Sequence, residues 1–451
     1  VLDLDPIVKA YDIRGTYPDQ IDAATCRALG SGFGAYLREV EPAASRVVLA
    51  RDMRPSGPEL ADAFADGVMA QGLDVVDIGL ASTDLMYFAS GRLGAPGAMF
   101  TASHNPAQYN GIKLCRSGAQ PIGEDTGLAR IKQLARSGAP AGAAAGRRTS
   151  ADLLAEFADH VRSFVDPSAL RPLKVVADTA NGMGGLVVPA VFDRLPVEVD
   201  LLYPELDGTF PNHPADPIQI ENLADLRARV VEVGADVGLA FDGDADRVFL
   251  VDERGEPVSG SLTTALLARA VLEREPGARI VHNLICSRVV PEIIRQHGGE
   301  PVRTRVGHSF IKAVMAQTGA AFGGEHSAHY YFRDNWGADS GLIAAVMVLE
   351  QLSRSARPLS ELLAPLRRYA QSGEINTRVA DPAAVIDHVA AHYAHLDQDR
   401  LDGLTVGGGD WWFNLRPSNT EPLLRLNLEA GDGEAVRRRV AEVRAVMAGA
   451  A

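Results

Sequence analysis

The chain has 451 residues and a net charge of −14. At about 150 residues per domain that is roughly three domains' worth of chain, and a single core rarely grows past about 250–300 residues. Apolar residues at 46% and charged residues at 23% exclude disordered and collagen-like chains, and the acidic balance disfavours a protein that grips nucleic acid or anionic lipid.

The chain opens on Val1-Leu2-Asp3-Leu4-Asp5-Pro6, which is acidic and lacks the apolar run of a signal peptide. Tyr11-Asp12-Ile13-Arg14-Gly15 follows. The β-branched runs Arg46–Ala50 and Asp74–Ile78 read as strands, with an Ala-rich helix from Pro58 to Gln71 between them. Ala98–Thr101 is the next strand, and Lys113 lies beyond it. The small-residue stretch from Ser137 to Gly146 reads as a linker or exposed loop. The cadence then recurs. Strands are expected at Lys174–Ala177, Val197–Leu201 and Val237–Phe241, then at Arg279–Val281, Pro301–Thr304 and Ala320–Phe322. The longest apolar run, Leu342 to Leu349, is far too short to span a bilayer. After Pro365 the pattern breaks into strands near Trp411–Leu415 and Leu424–Leu428 and a helix from Gly433 to Met447.

Strands alternating with helices predict α/β layers with mixed sheets. The expected organisation is three similar α/β domains at 1–147, 148–252 and 253–365, and a smaller α+β domain at 366–451. Three cysteines, Cys26, Cys115 and Cys286, do not make a disulfide framework, so a reducing cytoplasm is the expected compartment.

Each third strand runs into a polar loop, and ligands of open α/β sheets bind at the carboxyl ends of strands. Asp242-Gly243-Asp244-Ala245-Asp246-Arg247 sets three carboxylates at alternate positions. These are hard oxygen ligands suited to Mg²⁺ or Ca²⁺. An EF-hand is excluded, because Arg247 occupies the sixth position and the flanks read as strands. Thr101-Ala102-Ser103-His104-Asn105-Pro106 places a serine where a nucleophile or phosphate carrier fits, and a phosphorylated Ser103 would complete the metal site. Arg416-Pro417-Ser418-Asn419-Thr420-Glu421-Pro422 suits a dianionic phosphate. His308, after a strand, could transfer protons near neutral pH. The Gly182-Met183-Gly184-Gly185 run has Val187 where a dinucleotide loop needs its third glycine.

These motifs, in this order, resemble the α-D-phosphohexomutase superfamily, and within it the bacterial phosphomannomutase/phosphoglucomutase branch. Tyr11 to Gly15, Thr101 to Pro106, Asp242 to Arg247, Gly324 to His329 and Arg416 to Pro422 carry the resemblance. It implies a heart-shaped, four-domain protein with a central cleft and one loop from each domain. It implies that Ser103 carries a phosphoryl group and that Asp242, Asp244 and Asp246 hold Mg²⁺ with it. Glu325 and Ser327 would bind sugar hydroxyls, and Arg416, Ser418, Asn419, Thr420 and Tyr11 the distal phosphate. Arg14, Lys113, Arg247, His308 and His329 would line the reacting centre. The implied reaction interconverts hexose 1-phosphate and hexose 6-phosphate, of mannose and/or glucose. It would run through glucose 1,6-bisphosphate or mannose 1,6-bisphosphate, with no nucleic-acid or membrane partner. His326 and Ala328 depart from the Met and Gly common in the sugar loop, and Ile285 stands near where many relatives place a lysine, so sugar preference stays open. A metal-dependent phosphatase and a non-catalytic sugar-phosphate binder are the competing readings. The Arg416 loop speaks against the first, and Ser103 with three aspartates against the second.

Overall fold

The computed structural model describes residues 2–139, 142, 144–417 and 423–449. Strands fall close to the β-branched runs. The first sheet contains β1 (Ile13–Thr16), β2 (Arg46–Arg51), β3 (Asp74–Leu80), β4 (Gly97–Phe100), β5 (Tyr109–Arg116), β6 (Gln120–Pro121) and β7 (Arg148–Ser150). Its order is β1-β5-β4-β2-β3-β7, with β6 beside β5. The second contains β8 (Leu173–Asp178), β9 (Val197–Leu202), β10 (Val237–Phe241), β11 (Val248–Asp252) and β12 (Pro257–Val258), in the order β12-β11-β10-β8-β9. The third contains β13 (Arg279–Asn283), β14 (Glu300–Thr304), β15 (Phe322–Gly324) and β16 (Tyr330–Phe332), in the order β14-β13-β15-β16. The last contains β17 (Ala370–Arg378), β18 (Asp397–Asp399), β19 (Leu404–Gly407), β20 (Trp412–Pro417) and β21 (Leu423–Ala430), all antiparallel.

The first three sheets share one device. A parallel core ends in a strand that pairs antiparallel with the next: β4 with β5, β10 with β11, and β15 with β16. The connections at these returns are residues 101–108, 242–247 and 325–329. The three polar loops singled out in the sequence therefore occupy one topological position, at the carboxyl end of the last parallel strand.

One sequence expectation is displaced. The strand expected at Ala320–Phe322 lies at Phe322–Gly324. The helix before it, His308–Thr318, is closed by Gly319 at φ 67°, and Ala320 N–H then bonds the Met315 carbonyl. Ala320 is thus consumed in ending the helix. The small-residue stretch, expected as a linker or exposed loop, is an exposed loop held against the first domain where it is described. Gly142 and Gly146 donate to the carbonyls of Ala70 and Met69, and the chain continues as β7, parallel to β3 in the first sheet.

A large continuous apolar cluster runs through all three mixed sheets, from Met86 and Phe157 through Val176 and Leu239 to Phe322 and Leu349. Its centre is the helix Gly341–Ser355, in which every residue from Gly341 to Leu352 is buried. A helix apolar on all sides belongs in a core, and this is the fate of the longest apolar run. Among the described residues no helix is long and apolar enough to cross a membrane. The fourth sheet has its own core, including Phe413, Leu426 and Met447, under the helix Gly433–Ala448.

In the first domain the helices Ala23–Val40 and Gly57–Ala70 approach backbone to backbone. A Cβ on Gly30 would lie 2.1 Å from the Phe64 carbonyl oxygen, and one on Gly67 would lie 2.1 Å from that of Arg27. Alanine gains about 1 kcal/mol of helix propensity over glycine, while overpacking costs about 1–3 kcal/mol. Gly67→Ala is therefore expected to lower the thermal unfolding midpoint. An unchanged or raised midpoint would contradict the close approach.

Candidate active site

Ser103 sits three residues past β4 and is buried. Its φ of 48° is unusual for a residue with a side chain, so the surroundings must hold it. Its N–H donates to Thr101 Oγ1 at 2.8 Å, and its Oγ–H donates to Asp242 Oδ2 at 2.7 Å. From below, the loop is gripped by Arg54, which is 1% exposed. One guanidinium nitrogen donates to the carbonyls of Pro106 and Tyr109, and the other to those of Ser103 and Asn105. Nε donates to Asp52 Oδ2 at 3.1 Å. A buried guanidinium with five contacts fixes the backbone around Ser103, and sequence reading missed it. The available signal was the Asp52-Met53-Arg54 run just after a strand.

Asp242, Asp244 and Asp246 are each at most 1% exposed. One carboxylate oxygen from each lies within 4.8 Å of the other two. Three such groups repel one another unless cations compensate. Arg247 Nε donates to Asp242 Oδ2 at 2.9 Å. Lys113 Nζ lies 2.8 Å from Asp244 Oδ2 and 2.6 Å from Asp246 Oδ2. Thr83 adds a hydroxyl on Asp244 Oδ2 at 2.6 Å. Burial pushes Asp242 up to about 7, against the pull of Arg247. Burial also raises Asp244, but Lys113 outweighs it and the net direction is down. Burial works against the charge on Lys113, but Asp244 and Asp246 hold its pKa well above the usual value. Among the described residues, Oδ1 of Asp244 and Oδ1 of Asp246 have no hydrogen-bond partner. Unpartnered hard oxygens in a buried loop fit a divalent cation. The loop must also approach Ser103 closely, because a Cβ on Gly243 would lie 2.5 Å from the Ser103 carbonyl oxygen.

The third loop reaches the same centre. His329 Nδ1 lies 2.9 Å from Asp339 Oδ2 and 3.8 Å from Asp246 Oδ1. Burial disfavours its charge, but these two carboxylates outweigh burial and raise its pKa. Asp339 also holds the buried Lys312 ammonium at 2.8 Å. Glu325 is buried. It accepts from the Tyr331 hydroxyl at 2.5 Å, the Asn283 amide at 2.9 Å and the Gly307 N–H at 3.4 Å. Ser327 is half-buried in the same loop. His326 Nδ1 lies 3.0 Å from Ser261 Oγ, and Ile285 shares a small polar-edged pocket with it.

His308 opens the helix His308–Thr318, with its ring 5.5 Å from that of Tyr11. Burial, then the Lys312 ammonium, push it down to about 3. It is therefore held neutral at physiological pH, the form of an imidazole that can accept a proton. Arg14 lies on β1 opposite Gly111 of β5. Side chains alternate along strands, so Arg14 and Lys113 share a sheet face. Arg14 bonds Asn105 of the Ser103 loop and Asp12. Tyr11 packs against His308 and Phe310 and feels the charges of Arg305 and Arg416. Arg416 ends β20, largely buried, and donates to Glu374 Oε2 at 3.0 Å. Among the described residues it has no hydrogen bond to Ser103 or to the three aspartates, and its charge is felt at Tyr11. Ser418, Asn419 and Thr420 lie outside the described residues.

Four family models of phosphoglucomutase/phosphomannomutase match in chain order. The alpha/beta/alpha domains I, II and III match residues 5–140, 155–255 and 259–369, and the C-terminal domain matches 374–446. The chain belongs to this family. The mutase is 42% identical over 448 residues to a phosphomannomutase of Salmonella montevideo, covering 96% of this chain and 97% of the relative. It is 41% identical over 453 residues to a protein named phosphohexose mutases from Xanthomonas campestris, covering 98% and 99%. A solved phosphoglucomutase/phosphomannomutase family protein from Burkholderia thailandensis superposes with a TM-score of 0.91 at 34% identity, covering 100% and 98% of the two chains. The mutase is a phosphohexomutase with the four-domain fold of that family.

The imidazoles of the mutase should separate by environment. Burial pushes His282 down to about 4, as it does His308 to about 3, while His329 is raised. In a heteronuclear NMR titration from pH 8 to 5, His282 and His308 are expected to stay neutral. His329 should already be protonated at the usual midpoint of about 6.5. The unfolded chain takes up protons at His282 and His308 below about 6.5 while the folded chain does not, so these two groups make stability fall as pH drops from about 6.5. A normal titration of His308 would contradict its burial.

Proposed function

We propose that the mutase interconverts hexose 1-phosphate and hexose 6-phosphate, of mannose and glucose, through a phosphorylated Ser103 and a hexose 1,6-bisphosphate. The observation that carries this reading is the 2.7 Å hydrogen bond from Ser103 Oγ to Asp242 Oδ2, made between loops of two domains. Family membership and relatives named phosphomannomutase support the substrate class.

Asp242, Asp244 and Asp246 would hold Mg²⁺ beside the phosphoserine. When bound, the cation supplies charge neutralisation to the transferring phosphoryl group. The chain's own residues do the rest. Arg247, anchored on Asp242, and Lys113, anchored on Asp244 and Asp246, offer two fixed positive charges to the developing oxyanions. Arg14 adds a third, tied to the Ser103 loop through Asn105. His329, its pKa raised by Asp246 and Asp339 over the opposing effect of burial, can donate a proton to the leaving oxygen. Glu325 and Ser327 would orient the sugar hydroxyls. Arg416 and Tyr11 would grip the phosphate that does not react, together with Ser418, Asn419 and Thr420.

The bisphosphate must turn end over end so that its other phosphate returns to Ser103. A site reading hydroxyls that exchange places on turning tolerates either configuration at C2, which favours action on both glucose and mannose phosphates.

Ser103→Ala is expected to abolish isomerisation while substrate binding by calorimetry persists, and full turnover by this variant would refute the phosphoserine route. Arg416→Ala should raise KM about 10-fold or more with a smaller change in kcat, because the lost contact acts on ground and transition states alike. A loss confined to kcat would move Arg416 to the reacting end.

A further inference from the structure

Asp84 belongs to none of the motifs read from the sequence. It is completely buried in the first turn of the helix Thr83–Leu93. Each of its oxygens accepts a serine hydroxyl. Ser82 donates to Oδ1, and Ser340 donates to Oδ2 at 2.6 Å. Both serines are helix caps. Ser82 accepts from Leu85 N–H at 3.3 Å, and Ser340 accepts from Ile343 N–H at 3.1 Å. They come from different domains, 258 positions apart in sequence by subtraction of 82 from 340. Capping itself does not require Asp84, because the backbone N–H groups are satisfied by the serine oxygens. What the carboxylate adds is a tie between two helix N-termini, whose partial positive charge compensates its own.

Those two helices hold the two halves of the aspartate loop. Thr83, beside Asp84, donates its hydroxyl to Asp244 Oδ2 at 2.6 Å and its N–H to the Asp244 carbonyl at 3.0 Å. Gly341, beside Ser340, lies so close under the other half that a Cβ there would be 2.9 Å from the Arg247 carbonyl oxygen and 3.1 Å from that of Ala245. One helix fixes the loop at 244, and the other fixes it at 245–247. Their relative placement sets how far Asp244 stands from Asp246.

We propose that Asp84 is a positioning residue for divalent-metal binding. By joining Ser82 of the first domain to Ser340 of the third, it sets the spacing of carboxylates in the second. The inference rests on the metal reading of the aspartate loop given above.

Asp84→Asn keeps the size but replaces one acceptor by an NH₂ group. The serine facing that group loses the acceptor for its hydroxyl proton, because an NH₂ group only donates. Ser340→Ala removes one tie together with the cap on Ile343 N–H, so a second serine variant, Ser82→Ala, removes the other tie for comparison. Mn²⁺ binding to the unphosphorylated full-length protein, followed by electron paramagnetic resonance, reads the site directly. All three variants are expected to raise the Mn²⁺ Kd by about 10-fold, the lower end of effects seen when a metal site's outer partners are removed. Saturating metal should restore kcat with an unchanged KM for the sugar phosphate. A Kd within about twofold of wild type in Ser340→Ala and Asp84→Asn, or a kcat loss that saturating metal leaves uncorrected, overturns the proposal. Asp244→Asn separates it from the underlying reading. If that variant binds Mn²⁺ like wild type, the metal site itself lies elsewhere and both fall. If it loses Mn²⁺ while Asp84→Asn does not, the role of Asp84 alone is refuted.

Discussion

Three carboxylates within five residues, each at most 1% exposed, impose a charge constraint that the surrounding fold must answer. In a low-dielectric site their repulsion is severe and burial alone disfavours each charge. Compensation comes from distant positions. Lys113 arrives on β5 of the first sheet, while Arg247 folds back from the loop's own end. His329 and its partner Asp339 come from the third unit. No single domain contains the means to stabilise its own chemistry. The loop is bearable only when three units are docked, and the docking is maintained by the apolar cluster that runs through all three.

That dependence gives meaning to the repeated architecture. In each mixed sheet the polar loop connects the last parallel strand to an antiparallel partner. Such a connection is anchored at both ends by ladder hydrogen bonds, which fix where it begins and ends. Three connections built alike can be brought face to face. The Ser103–Asp242 hydrogen bond and the His329–Asp246 approach are the points at which they meet.

Much of this was legible in the sequence because strands and motifs are local. β-branched runs such as Asp74–Ile78 announce strands, and alternate aspartates point to oxygen ligands suited to a cation. What remained hidden is long-range. Arg54 acts on carbonyls around 50 positions away, and Ser340 reaches Asp84 across 256 positions. Such partners carry no local pattern, and an Arg or Asp alone in sequence reads as solvated surface. His308 shows the converse case. Its position after a strand was read correctly, but its proton affinity depends on burial and on Lys312, one turn further along the helix and held by Asp339 from beyond the sugar loop. The strand at Phe322–Gly324 begins two residues later than expected because the helix stop at Gly319 consumes Ala320, a local closure that the apolar run alone does not show.

Ser103 is 5% exposed in a loop whose backbone is clamped from beneath by Arg54. A phosphoryl group carried there has few approaches open to bulk water. A water molecule and a sugar hydroxyl are similar nucleophiles, and water is present at far higher concentration. What lets a phosphoenzyme wait for a sugar instead of decaying is therefore access, and access is set by how deeply the serine is seated. Under the phosphoserine route proposed above, the same seat would act as a kinetic filter and conserve the phosphate between one turnover and the next.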